Sequence, residues 1–295
     1  MKDSYLPNAG AGGGALAEML ATAGVSNVSG LFADIPDELK FKRSLNLGQG
    51  MAETAIMKYF SELAGRNADL NKYACFHGGG VYDHVIPSAV KHLVGRSEFY
   101  NSYTPYQTEA SQGPLQALFE YQTMMCELTG LEVSNASMYD GATALAEAAA
   151  MCEGMKGKKK IFVSSAVNPE YRAVLKTYLK NSGTAVVEVS ADGGTTGLSA
   201  VTDGASVLIM QQPNFFGCIE DLKSAGETAK SHDCMFVVSA NPMALALLEP
   251  PGNSGADICT GDGQPLGNEP SLGGPAFGFF TTREKHMRKM PGRIV

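Results

Sequence analysis

The stretch from Ala205 to Ala240, "ASVLIMQQPNFFGCIEDLKSAGETAKSHDCMFVVSA", decides the fold. It opens on one apolar, β-rich run, "ASVLIMQ", and closes on another, "CMFVVSA", with the helix-like segment "DLKSAGETAKSHD" between them. Short continuous apolar runs suit strands buried on both faces, and parallel neighbours need a crossover of this length between them. Upstream the same alternation runs through "KIFVSS", "PEYRAVLKTYLKNSG" and "AVVEVS". Downstream, Asp257 to Thr260 leads into a long loop rich in Gly and Pro, and Ala276 to Phe280 leads out of it. An α/β domain with a mainly parallel sheet covered on both faces is the reading.

Before this domain the strand signal is weak. Met51 to Leu63 carries Ile56, Tyr59, Phe60 and Leu63 at helical spacing. "YDHVIPSAVKHLVG" does the same, with Gly95 as its stop, and "IPDEL", Ile35 to Leu39, reads as the acidic first turn of a short helix. Ser111 is placed to cap a helix bearing Leu115, Leu118, Phe119, Met125 and Leu128 that ends at Gly130. A further helix, Ala142 to Met151, is almost wholly Ala, Leu and Glu. The division expected is a helical arm over residues 1–100 and a large domain over residues 101–295.

A chain of 295 residues needs no disulfides to build its core. Its formal net charge of −7 argues against broad binding to nucleic acid or anionic membranes, which calls for a basic face. The six cysteines show no C-x-x-C and no zinc-like pairing, so free thiols in a reducing compartment are expected. No stretch approaches the roughly 20 apolar residues of a membrane span, and the N-terminus lacks a basic lead-in and a secretory apolar core. The expectation is a cytoplasmic protein.

"NASMYDGATALAEAA" is the most informative motif. Gly141, Ala142 and Thr143 open a small-residue helix of the kind whose N–H groups approach a cofactor phosphate. Asp140, however, is placed to cap that helix itself, where its carboxylate occupies the donors and repels an anion. "CFHGGGVYDHVI" sets Gly78 to Gly80 beside His77, allowing either a ligand-facing turn or an ordinary one. His77, His84 and His92 are poor candidates for a metal site, and none is expected. "EFYNSYTPYQTEASQG" gathers tyrosines around Pro105, useful to a ligand, to a partner or to a buried hinge. "GAGGGA" follows no strand and "GDGQPLG" breaks the dinucleotide spacing, so NAD is not expected.

Taken together, "RSEFYNSYTPYQTEASQG", "LQALFEYQTMMCELTGLEVSNASMYDGATALAEAA", "GDGQPLGNEPSLGGPAFGFF" and "RKMPGRIV" resemble the glycine dehydrogenase (decarboxylating) family, the P-protein of the glycine cleavage system, in its subunit 1 or α-subunit branch. The similarity runs from "IPDELKFKRSLNL" to the last residue. It implies a large domain of the fold type I pyridoxal-phosphate class, akin to aspartate aminotransferase. In that fold a strand and loop present the lysine that holds the cofactor; here no lysine lies between Lys230 and Lys285. The resemblance implies that pyridoxal phosphate sits on a partner β subunit, with none bound covalently by this chain, in an α2β2 assembly. It further implies that the assembly decarboxylates glycine and passes the aminomethyl group to the lipoyl arm of the H-protein. Tyr103, Tyr106, Gln107 and His77 are the matched residues expected to wall the shared site against substrate, although "FHGGG" departs from the family's Gly-Ala-Gly form. Family members continue past "MPGRIV" into a small C-terminal domain, expected to be absent here. The alternative is a non-catalytic scaffold or regulatory subunit of a pyridoxal-phosphate enzyme.

Overall fold

The structure is a computed structural model describing residues 14–76, 78–100, 112–271, 274 and 276–295. It divides into two compact units, Met1–Ala68 and Asp69–Val295. In the first, the described elements are α1 (Gly14–Thr22), a 3-10 turn at Val28–Phe32 and α2 (Glu53–Ala64). The apolar stripe expected over Met51–Leu63 is thus helical, yet Tyr59 and Phe60 on it lie exposed. "IPDEL" forms only a turn, closed by the Leu39 N–H on the Pro36 carbonyl at 3.0 Å and by a Lys40–Asp37 pair at 2.9 Å. Helix nucleation is costly, and no long apolar face follows here to offset it.

The second unit begins with α3 (Ser88–Val94) and α4 (Ser97–Tyr100). The helix expected from "YDHVIPSAVKHLVG" starts only after Pro87, because proline disfavours helical backbone in the residue before it. Val85 is left outside the helix and exposed. Then come α5 (Gln112–Thr129), β1 (Val133–Ser134), α6 (Gly141–Lys156), β2 (Lys160–Ser164), α7 (Pro169–Leu179) and β3 (Ala185–Val189). They are followed by β4 (Val207–Gln212), α8 (Leu222–Ser231), β5 (Met235–Ala240), β6 (Ile258–Asp262) and β7 (Gly278–Thr282). Ser111, the expected cap of α5, lies outside the described residues, but the stop is as expected: Gly130 takes φ +67° just past the last helical residue.

The strands form one seven-stranded sheet in the order β1-β7-β6-β5-β4-β2-β3. Every pair from β6 to β3 is parallel, while β7 runs antiparallel to both β6 and β1. The alternation in the opening stretch sorts side chains between two cores. Leu208, Met210, Phe236 and Val238 face a cluster with Met125 of α5 and Ala225 of α8. Val207, Ile209, Met235 and Val237 face the other, with Leu145 and Ala149 of α6 and Leu175 of α7. The sheet is therefore buried on both faces, the condition that made its strands continuous apolar runs.

All six cysteines are unpaired thiols. The lysine run before β2 ties into surface acceptors, Lys158 pairing with Asp233 at 3.0 Å. Among the described residues no helix is long and apolar enough to cross a membrane. Replacing Phe236, 1% exposed, by Ala should lower the stability of the second unit by about 3–5 kcal/mol. Phe41→Ala at a 59% exposed site should stay within about 0.5 kcal/mol of the parent chain. Urea unfolding followed by circular dichroism separates the two.

Candidate functional site

Parallel sheets present ligands at the carboxyl ends of their strands, where loops diverge and helix N-termini point inward. This chain has a cavity of about 240 Å³ there. Gln211 and Ser239 stand one residue from the ends of β4 and β5 and Asp262 closes β6, and all three line it together with Asn168 from the β2–α7 connection and Tyr171 from the first turn of α7. Gly80 and Tyr82 form part of its wall. A larger hollow of about 550 Å³ at the amino-terminal edge is bounded by surface ion pairs, Lys156–Asp233 at 2.6 Å and Lys285–Asp257 at 3.6 Å.

The glycine turn flagged in the sequence does reach the cavity. Gly78, Gly79 and Gly80 take φ of +69°, +82° and +93°, a backbone that side chains disfavour. A Cβ on Gly80 would stand 2.6 Å from Asn168 Nδ2, so only glycine lets the turn come this close. Asn168 is in turn fixed from its backbone, its N–H donating to Gln211 Oε1 at 2.8 Å and its Oδ1 accepting from the Glu170 N–H at 2.9 Å.

The N-terminus of α6 adjoins the same place. Asp140 caps it with a complete capping box: the Thr143 N–H donates to Asp140 Oδ1 at 2.7 Å, and the Asp140 N–H to Thr143 Oγ1 at 3.2 Å. Asp262 Oδ2 accepts from the Gly141 N–H at 3.3 Å, and its Oδ1 from the Gln264 N–H at 2.8 Å. A methyl on Gly141 would meet the Tyr171 hydroxyl and lie 2.8 Å from the Asp262 nitrogen. The helix terminus is thus filled by protein. Burial pushes the Asp262 carboxyl above the ordinary carboxylate range, with nearby Asp140 adding to the shift and its two backbone donors opposing it. Burial likewise raises the Tyr171 phenol, with smaller contributions from Asp262 and Asp140.

One further buried carboxylate shapes the rim. Glu220, 5% exposed, accepts from the Thr196 N–H and hydroxyl, both at 2.9 Å, and from Asn214 Nδ2 at 2.8 Å. Asn214 Oδ1 then accepts the Phe216 and Cys218 N–H groups at 3.1 and 3.0 Å, folding the turn that carries Phe215 and exposed Phe216.

These residues do not fit pyridoxal phosphate. Anchoring an aldehyde cofactor requires an amine, and among the described residues none lining the cavity is Lys, Arg or His. Its phosphate requires free N–H donors, and two carboxylates hold the Gly141 and Thr143 N–H groups of α6. His77, Tyr103, Tyr106 and Gln107, the residues expected to face substrate, lie outside the described residues, although Gly78 adjoins His77 in the chain. Among the described residues no group of three or more His, Cys, Asp or Glu converges on a metal position.

Removing the cap by Asp140→Ala should cost about 1 kcal/mol, and Gly141→Ala about 1–3 kcal/mol through overpacking against Tyr171 and Asp262. Glu220→Ala strands the donors on Thr196 and Asn214 and should cost about 2 kcal/mol. Urea titrations of the three variants check these values.

Comparison with known proteins bears on this arrangement. The family model for the glycine cleavage system P-protein matches residues 6–295. A probable glycine dehydrogenase (decarboxylating) subunit 1 from Brevibacillus brevis is 52% identical over 283 residues, and that from Bacillus subtilis is 52% identical over 282. Each alignment covers 94% of this chain and 63% of the relative, so the chain spans less than two thirds of their length. The crystal structure of a glycine decarboxylase (P-protein) of the glycine cleavage system, in inhibitor-bound form, superposes with a TM-score of 0.91 at 43% identity, covering 98% of this chain and 65% of that one. A cysteine desulfurase from Thermococcus onnurineus shares the fold at a TM-score of 0.57 and 16% identity, covering 74% of this chain and 56% of that one. The fold is thus the pyridoxal-phosphate transferase-like α/β type, and a 52% identity carried across nearly the whole chain reaches well beyond fold. The chain belongs to the glycine cleavage system P-protein family.

Proposed function

We propose that this chain is the α subunit of a two-subunit glycine decarboxylase, inactive alone and completed by a β subunit that carries pyridoxal phosphate. The single observation behind this reading is the cavity at the carboxyl ends of the strands in a P-protein family member, which offers no amine for the cofactor and no free helix terminus for its phosphate. The lack of those groups among the described residues supports a reading in which a partner supplies them.

In this reading the assembly is α2β2 and cytoplasmic. It decarboxylates glycine and transfers the aminomethyl group to the lipoyl arm of the H-protein. This chain contributes the wall of the shared site, with Tyr103, Tyr106, Gln107 and His77 against the substrate, excluding water from the reacting centre. A helical arm over residues 1–100 precedes the large domain.

Exchange of labelled bicarbonate into glycine tests the proposal. It should appear only when this chain is mixed with its β partner, H-protein and pyridoxal phosphate. Exchange by the β partner without this chain, at the same rate, overturns it. Tyr106→Phe should slow the reconstituted exchange roughly tenfold if the tyrosine segment lines the site, the loss of one charge-assisted hydrogen bond. An unchanged rate would favour a scaffold role.

A further inference from the structure

The cavity that rejects an anionic cofactor has a positive chemistry of its own. Asn168 and Ser239 are only 5% and 2% exposed, and both line it. Neither Asn168 Nδ2 nor Ser239 Oγ has a hydrogen-bond partner among the described residues, and the Tyr171 hydroxyl has none either. These three atoms keep access to solvent, so in the cavity they are open to water or to a ligand. Tyr82, Tyr171 and Phe215 are aromatic residues of the wall, and Asp262 supplies a carboxylate with no cation among the described residues lining the cavity. Aromatic rings with one carboxylate and neutral hydrogen-bonding groups recognise an organic cation. The same set offers nothing to balance a carboxylate or phosphate.

We propose that this cavity binds a small primary ammonium ion, its charge between the Asp262 carboxylate and the aromatic walls and its N–H groups shared with Ser239 and the Tyr171 hydroxyl. At about 240 Å³ the space is roughly eight waters' worth and takes a small ligand. Methylammonium is the simplest probe of this class. A zwitterionic amino acid is disfavoured, since no cation among the described lining residues balances its carboxylate. The inference concerns binding by this chain alone and is independent of the decarboxylation reading.

Isothermal titration calorimetry of the full chain with methylammonium chloride tests it, with sodium chloride, sodium acetate and pyridoxal phosphate as comparison ligands. A single saturable site for methylammonium, with no saturation by the others, is the expected result. Asp262→Asn should weaken binding about tenfold or more, the loss of a charge-assisted contact. Tyr82→Ala alters a 43% exposed side chain, so the fold should survive, and removal of one aromatic wall should weaken binding roughly threefold or more. Circular dichroism establishes that each variant is folded. Where Asp262→Asn is not folded, Tyr82→Ala decides. The proposal is overturned by absence of saturable methylammonium binding, by unchanged affinity in a folded variant, or by tighter binding of acetate or pyridoxal phosphate.

Discussion

The carboxyl edge of the sheet depends on how closely α6 lies on β6 and β7. Six of the helix's nine buried residues are Gly or Ala (Gly141, Ala142, Ala144, Ala146, Ala148 and Ala149), short enough for the two backbones to come near each other. Glycines complete the approach from both sides. A Cβ on Gly278 would strike the Asp140 carbonyl at the start of the helix, and one on Gly141 would lie 2.8 Å from the Asp262 nitrogen. Close packing tolerates little added volume, so these small residues fix the position of the helix. That position puts the α6 terminus within hydrogen-bond reach of Asp262. The capped terminus and the cavity beside it are consequences of one packing contact.

The electrostatics follow from the same closeness. Asp140 and Asp262 both accept from the first turn of α6, where the helix dipole favours negative charge. Their mutual repulsion and the burial of Asp262 work against that preference, which is why the Asp262 carboxyl holds its proton more tightly than usual. An anion could enter only by displacing groups that serve as structural caps. The local stability of the helix and the selectivity of the cavity therefore cannot be altered separately.

The strands were legible where one physical cause dominated. Burial on both faces makes β2, β4 and β5 continuous apolar runs, and their crossovers have helical length, so the sheet could be read directly. β1 is two residues long and exists only through pairing with Thr281 and Thr282, a partner far along the chain that no local pattern reveals. The strand expected over Ala276–Phe280 is displaced to Gly278–Thr282 because its register is set by β6, Ile258 facing Thr282. At the site, Asp140 and the glycine turn were readable from cap chemistry and backbone freedom. Asn168, Ser239 and Tyr171 were not, since each looks like an ordinary residue at the end of an element. A signal was nonetheless present: Gln211, Ser239 and Asp262 each put a polar group at the end of an otherwise apolar run.

The reversed direction of β7 has a consequence for how such a protein can change. Five residue pairs between Ile258–Asp262 and Gly278–Thr282 close the loop between them at its base, independently of what the loop contains. A hairpin clamped in this way separates inheritance of shape from inheritance of chemistry. Residues can be exchanged in its interior while the strands on either side keep their partners, so a gene copy can abandon a reactive side chain there and still encode the same architecture.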